Sequence, residues 1–394
     1  MKKKFACLAM AMVMVLSLAA CGGKKEEAPA AAPAESGSDS SVSVFKVGTI
    51  GPLSGDAAIY GQAVANGAKI AVDEINAAGG AIQFELQSQD DEADGEKSVN
   101  AYNTLMDWGM QVMVGPTTTG ASIAVSAQAN ADRTFMLTPS ASSVDVIDGK
   151  DNVFQVCFTD PNQGVASADY ISANMAGAKV AVIYRNDDAY SQGTRDTFVS
   201  EAAGKGLEVV YEGTFTADTA TDFSVQLTGA QSAGADTVFL PIYYQPASVI
   251  LNQANAMGYE PTFFGVDGMD GILTMEGFDT SLAEGVMLLT PFSADAEDAR
   301  TQTFVKSYQD QFGETPNQFA ADAYDAVYIY AAALEAAGCT ADMSSADICE
   351  ALVGVMTTIS VDGLTGQGMT WDASGAVSKA PMAVIIENGT YVLP

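Results

Sequence analysis

"VFKVGTIGPLSGDAAIYGQ", residues 44–62, is the stretch from which the rest of the chain can be read. A short apolar run ends in "GPLSG", a turn with two glycines and a proline. Beyond it Ile59, Ala63, Ile70 and Ile75 recur on one face at helical spacing until "AAGG" stops the pattern. Strand, glycine-rich turn and helix make the basic unit of an α/β fold. Such a turn often holds an anion, because free backbone N–H groups and the positive end of the helix dipole point at it. Whether an anion here is held for chemistry or for carrying sets the functional question.

The same theme repeats along the chain. "IQFELQSQD" leads to a helix predicted over Glu96–Trp108, "MQVMVG" to one over Ala121–Ala131, and "TFMLTPS" is a strand with a polar exit. A second series starts at "KVAVIYR", with a helix predicted over Thr194–Lys205, and continues through "LEVVYEGTF", "ADTVFLPI" and "TFFGVDG". Alternating strands and helices imply parallel sheets with right-handed crossovers. Two series imply two doubly wound, Rossmann-like lobes, which suits about 350 globular residues better than a single core does.

The N-terminus is of another kind. Lys2, Lys3 and Lys4 precede an apolar run, Phe5–Ala20, too short to span a bilayer comfortably, and "LAAC" closes it at Cys21. Residues 1–20 read as a lipoprotein signal peptide, with Cys21 as the lipidated residue that ties the mature chain to a membrane surface. Residues 21–43 hold Ala, Pro, Ser, Gly and charges with almost no large apolar side chain, and are expected to form a flexible tether.

Composition removes whole classes of function. The chain carries 17 Lys and Arg against 49 Asp and Glu, a net charge of −32. Loss of residues 1–20 takes three lysines and no acid, giving −35. Nucleic acid and anionic membrane surfaces are poor partners for such a chain. There is no histidine, so no Ser-His-Asp or Cys-His machinery and no His-ligated metal site. No phosphate-cradling G-x-x-x-x-G-K-[ST] loop or dinucleotide G-x-G-x-x-G appears. Neither a cofactor nor a metal is expected, and no enzymatic activity. Asp90/Asp91 and Asp187/Asp188 flank strands and read as solvated turn or cap residues. Cys157 reads as a small core residue. Cys339 and Cys349, in "GCTADMSSADIC", are spaced to close a short disulfide in an oxidising compartment or to stay free.

In doubly wound sheets, ligands sit outside the carboxyl ends of the strands. The first series supplies small hydroxyls there: Thr118 and Thr119 in "VGPTTTGAS", Ser140 and Ser142 in "LTPSASS". With glycines and helix N-termini they suit a carboxylate. The second series supplies Tyr190, Tyr244 and Asp267, an acid among tyrosines, which suits a primary ammonium. A carboxylate on one side and an ammonium on the other describe an α-amino acid.

From Val44 to Pro394 the chain resembles the leucine/isoleucine/valine-binding family of ABC-transporter substrate-binding proteins, with the type I periplasmic-binding-protein fold. The carrying motifs are "VGTIGPLSGDAAIYGQAVANGAKIAVDEINAAGG", then "VGPTTTGAS", "LTPSASS", "NDDAYSQG" and "FGVDG" in the family's order, and "FAADAYDAVYIYAAAL" from Phe319. The resemblance implies that Thr118 or Thr119 takes the small-hydroxyl position. It has Ser140 present its carbonyl to the ammonium, with Ala141 beside it, and Ser142 offer hydroxyl and N–H. It also implies that Tyr190 and Tyr244 close over the ligand, that Asp267 pairs with the ammonium, and that Tyr60 and Phe319 flank the pocket. Two departures stand out: no cysteine pair occurs in residues 44–160, the N-terminal part of the first lobe, where well-known members have a disulfide, and Asp267 stands where glutamate is common.

What the resemblance implies is a pair of parallel-sheet lobes joined by a three-strand hinge, with the ligand in the cleft. Lobe 1 is expected to comprise 44–160 and 291–380, lobe 2 161–290 and 381–394. The implied function is a monomeric, lipid-tethered receptor on the outer face of the cytoplasmic membrane or in the periplasm. It would carry a branched-chain or other small aliphatic amino acid to an ABC permease. The alternatives are a receptor of the same fold for an aromatic acid, amide or urea, and an extracellular ligand-sensing protein.

Overall fold

In this computed structural model residues 43–393 are described; the predicted signal peptide, Cys21 and the tether up to residue 42 lie outside the described residues, and Ser43, expected to end the tether, opens the first strand. The opening strand, β1 (Ser43–Gly51), buries Phe45, Val47 and Ile50 completely. It runs into helix α1 (Ala58–Ala78), then β2 (Ile82–Asp90), α2 (Gly95–Trp108), β3 (Val112–Val114), α3 (Thr119–Asp132), β4 (Phe135–Thr138) and β5 (Val153–Gln155). These five strands form one sheet in the order β2-β1-β3-β4-β5, parallel throughout. β3 and β4 are buried along their whole length, as central parallel strands covered on both faces should be.

The chain then leaves this sheet. Helix α4 (Asp160–Asn174) leads to β6 (Lys179–Arg185), α5 (Ala189–Lys205), β7 (Glu208–Phe215), α6 (Ser224–Ser232), β8 (Thr237–Leu240), α7 (Tyr244–Met257), β9 (Thr262–Gly265) and β10 (Met287–Thr290). Three helices follow, α8 (Ala299–Phe312), α9 (Gln318–Ala337) and α10 (Ser345–Met356), and then β11 (Met382–Glu387) and β12 (Thr390–Val392). The second sheet has seven strands in the order β12-β11-β10-β9-β8-β6-β7. It is parallel from β7 to β10 and ends in an antiparallel β10-β11-β12 edge, which strand–helix alternation does not reveal.

The two lobes are interleaved in sequence. The chain passes between sheets after β5, returns after β10 with α8, α9 and α10, and passes back before β11. Helix α9 packs along α1 on the five-stranded sheet. The two helices approach closely at Gly67, where a Cβ would lie 2.0 Å from the Ala320 carbonyl oxygen, so any larger residue would push them apart.

Helix boundaries follow their caps. α5 begins five residues earlier than predicted because the Asp188 carboxylate accepts from the Ser191 N–H and starts the helix there. Cys157, Cys339 and Cys349 are buried free thiols, so the disulfide alternative for Cys339 and Cys349 is not realised. Asp91 is not a solvated turn residue: it is fully buried, accepts from Ser98 Oγ at 2.9 Å, and burial lifts its carboxyl to about 6.

Candidate functional site

The anion held by the "GPLSG" turn is the protein's own. Leu53 N–H and Ser54 Oγ donate to the Asp90 carboxylate at 2.8 and 2.6 Å, which fixes the turn to the end of β2. The turn in turn places α1: Gly61 lies so close to Pro52 that a Cβ would meet its carbonyl oxygen at 2.1 Å. That approach carries Tyr60, in the first turn of α1, into the space between the two sheets.

Tyr60 is the hub of the site. It is buried, its ring lies 4.2 Å from that of Phe319, and it meets Tyr243 and Tyr244 edge-on at 5.3 and 5.0 Å. Its hydroxyl donates to the Gly268 carbonyl and accepts from the Tyr244 N–H at 3.1 Å. Facing it, Tyr190 in the first turn of α5 donates to Asp267 Oδ1 at 2.6 Å and accepts from the Gly268 N–H at 2.9 Å. Asp267, just beyond β9, is 4% exposed. Burial pushes its carboxyl up to about 6, although the Tyr190 hydroxyl and Gln163 pull the other way. Its backbone is tied on both sides: the N–H donates to Gln163 Oε1 at 3.0 Å and the carbonyl accepts from Gln318 Nε2 at 2.7 Å.

The exits of β3 and β4 form the opposite wall. Thr118 sits at the N-cap of α3, yet its hydroxyl caps nothing; Oγ1 is buried without a hydrogen-bond partner. Thr119 follows it into the helix. Ser140 Oγ donates to the Thr117 carbonyl at 2.7 Å, pinning one exit to the other.

A single cavity is lined by Tyr60, Thr118, Thr119, Ser140, Tyr190, Asp267 and Phe319, all expected from the sequence. Thr117, Tyr243 and Gly268 complete the lining. Its volume is about 10 Å³, room for one water, because the aromatic rings fill the space. The lobes must part to admit anything larger.

Three expected residues are not in that wall. Tyr244 is the first residue of α7, so its ring turns back along the helix and packs edge-on against Tyr60; Tyr243, still extended, faces the cavity instead. Ala141 is turned into the core of the first lobe, its N–H bonded to Thr138 Oγ1 and its carbonyl to Gln155 Nε2. Ser142 is fully buried behind the wall, with Oγ unpartnered and its carbonyl accepting from the Asp160 N–H at 2.9 Å. Gln163 and Gln318 were missed: "TDPNQG" follows a strand too short to stand out, and Gln318 lies beside the more conspicuous Phe319.

Among the described residues no group of three or more Cys, Asp or Glu is placed to hold a metal ion, and no helix is long and apolar enough to cross a membrane. The arrangement is a closed aromatic cage with hydroxyls on one side and a buried carboxylate on the other.

Comparison with known proteins agrees with this architecture. A family model described as periplasmic binding protein matches residues 44–390. A Leu/Ile/Val-binding protein homologue of Brucella melitensis is 32% identical over 315 residues, 78% of this chain and 82% of that protein. The branched-chain amino acid transporter substrate-binding protein of Streptococcus pneumoniae, solved in complex with isoleucine, is 31% identical at a TM-score of 0.79; the match covers 88% of this chain and 97% of that one. A solute-binding protein of R. palustris in complex with benzoate shares the fold at a TM-score of 0.78 and 22% identity, over 89% of this chain and 95% of that one.

Proposed function

The chain belongs to the periplasmic binding protein family, within its branch of Leu/Ile/Val-binding proteins, and on that premise we propose that it is the substrate-binding lipoprotein of an ABC importer, carrying a small α-amino acid to the permease without converting it. The observation that carries this reading is Asp267: a buried carboxylate held by Tyr190 across a cavity from Thr118, whose hydroxyl has no partner. A ligand with an ammonium and a carboxylate would satisfy both sides at once. Branched-chain or other small aliphatic side chains suit the cage of Tyr60, Tyr243 and Phe319.

Lobe 1 is assigned 44–160 and 291–380, lobe 2 161–290 and 381–394, with the three inter-sheet connections as the hinge. Cys21 is the lipid attachment point, and the receptor works as a monomer on the outer face of the cytoplasmic membrane or in the periplasm. Cys21→Ser is expected to release the chain from membranes; unchanged membrane partition would overturn the anchor.

The deciding experiment is a thermal-shift screen of the twenty amino acids together with benzoate, 4-hydroxybenzoate, simple amides and urea, since a ligand that binds only the folded state raises its melting temperature. A shift with one or more amino acids is expected. The aromatic cage favours a second reading, an aromatic acid; shifts confined to the benzoates would select it.

A further inference from the structure

Beside the aromatic cage, with one ring between them, lies a much larger chamber. Its volume is about 380 Å³, against about 10 Å³ for the cage. Ala57 and Ala93 line it from the β1 and β2 exits, Phe215, Ile242 and Pro246 from those of the second sheet. Tyr243 is the one described residue that lines both spaces. It is also the cage tyrosine least tied down. The hydroxyls of Tyr60 and Tyr190 each make two hydrogen bonds, whereas that of Tyr243 makes none among the described residues. Tyr243 stands at the N-cap of α7 in extended backbone, φ −73° and ψ 161°, so no preceding helical turn confines its side chain. Behind its ring stand two opposite charges. Arg185 and Asp188 both line the chamber half-buried, yet no ion pair or hydrogen bond joins them. The Arg185 Nε donates to Asp187 at 2.6 Å, and neither Nη has a partner among the described residues. Asp188 Oδ2 accepts from the Ser191 N–H. The chamber's other acids, Asp56 and Glu92, are exposed, and Glu92 is already paired with Lys97. A cation and an anion held apart suit a group that accepts from one and donates to the other, and a carboxamide does both. A carboxylate in that place would meet Asp188, and an ammonium would meet Arg185.

We propose that Tyr243 is a swinging partition and that, with its ring turned aside, the chamber receives the end of a longer amino-acid side chain, a carboxamide set between Arg185 and Asp188. The assignment rests on the amino-acid reading above and adds glutamine-like cargo to the small aliphatic class. Small side chains stay in the cage with the partition closed. Glutamine keeps its α-groups in the cage and sends its amide past Tyr243.

The test is calorimetry of isoleucine, glutamine, glutamate, lysine and norleucine on wild type, Ala220→Phe, Arg185→Leu and Tyr243→Ala. Wild type is expected to bind glutamine at least about tenfold more tightly than glutamate, lysine or norleucine. Ala220 lines the chamber and not the cage, so a phenyl ring there fills the one and spares the other. Ala220→Phe and Arg185→Leu should each weaken glutamine about tenfold or more, with isoleucine held within about threefold by Ala220→Phe. Tyr243→Ala, which removes the partition, should shift the preference toward glutamine and away from isoleucine. Glutamine bound no better than norleucine by wild type would overturn the proposal, as would equal losses of glutamine and isoleucine in Ala220→Phe. Ala220 is a half-exposed residue outside the regular helices and strands, so this variant decides the matter even if Arg185→Leu does not fold. Isoleucine binding without glutamine binding sinks this assignment alone. If no amino acid binds the wild type, the amino-acid reading itself fails and takes this assignment with it.

Discussion

Gln318 on α9 reaches across to Asp270: its backbone N–H donates to Asp270 Oδ2 at 2.9 Å, while its side chain donates to the Asp267 carbonyl at 2.7 Å. α9 packs on the five-stranded sheet, and the segment from Asp267 to Asp270 follows β9 of the seven-stranded one. Both bonds therefore cross between lobes, and opening must break them. Gln318 is 2% exposed, so neither bond is competed for by bulk water.

Gln318→Ala is expected to loosen the closed form. Losing one buried side-chain hydrogen bond costs about 1–3 kcal/mol, and only closure loses it, because the open form would leave the side chain hydrated. Small-angle scattering should show a larger radius of gyration for the ligand-free variant than for wild type, with ligand affinity reduced about fivefold or more. Identical scattering curves and affinities would show that Gln318 does not hold the lobes together.

Acidity should act on binding through Asp267. Its carboxyl rises from the ordinary 3.8 to about 6 on folding, with burial the main cause. Ionised Asp267 thus costs folding stability, a cost absent below pH 3.8 and complete once the pH passes about 6. An ammonium requires the ionised form, so at lower pH ligand binding must first expel a proton. Affinity for an amino acid is expected to be level above pH 6 and to fall about tenfold per pH unit below it. Asp267→Asn should weaken binding by about 2–5 kcal/mol and flatten that profile. Calorimetry between pH 4.5 and 8 checks it; a slope equally steep in the variant would assign the titration elsewhere.

The sequence made the strand exits legible because glycines, prolines and small hydroxyls mark where a strand stops and a helix N-terminus begins. Thr118, Ser140, Tyr190 and Asp267 stand at such exits and line the cavity. Direction was harder to read. In "IYYQ" two adjacent tyrosines look equivalent, and only the start of α7 at Tyr244 decides that Tyr243 faces the cavity. Ala141 and Ser142 continue the same small-residue exit, but neither lines the closed cavity, because the chain turns inward right after Ser140. The antiparallel edge at β11 and β12 escaped because strand–helix alternation says nothing about a strand that returns after three helices.

Two hydroxyls in the same wall should respond differently. Thr118 Oγ1 is buried without a partner, whereas Ser140 Oγ is bonded to the Thr117 carbonyl. Thr118→Val removes an unsatisfied group, so the ligand-free protein should keep or gain stability. Amino-acid binding should weaken by about 1–3 kcal/mol, since the ligand's carboxylate loses a donor. Ser140→Ala should lower ligand-free stability by about 1 kcal/mol and affect binding less. Denaturation and calorimetry on both variants decide this; a Thr118→Val that binds as tightly as wild type would remove Thr118 from the ligand site.

Lys379, three residues before the chain re-enters the seven-stranded sheet, makes the one buried ion pair among the described residues. Its Nζ lies 2.6 Å from Asp322 Oδ1 and 2.6 Å from Thr365 Oγ1, with both charged side chains 2% exposed. Thr365 Oγ1 also donates to Asp325, whose carboxylate accepts from the Leu364 and Thr365 N–H groups. The network thus fastens the last inter-sheet connection to α9, three residues from Phe319. Breaking a buried pair from one side leaves the other charge stranded, at about 3–5 kcal/mol. Asp322→Leu and Lys379→Met should therefore each lower the unfolding free energy by that amount. The double variant Asp322→Leu with Lys379→Met should recover much of the loss, because no charge is then left unpaired in the interior. A double-mutant cycle by urea denaturation measures the coupling. Additive losses, with no recovery in the double variant, would show that the two side chains stabilise the hinge independently and not as a pair.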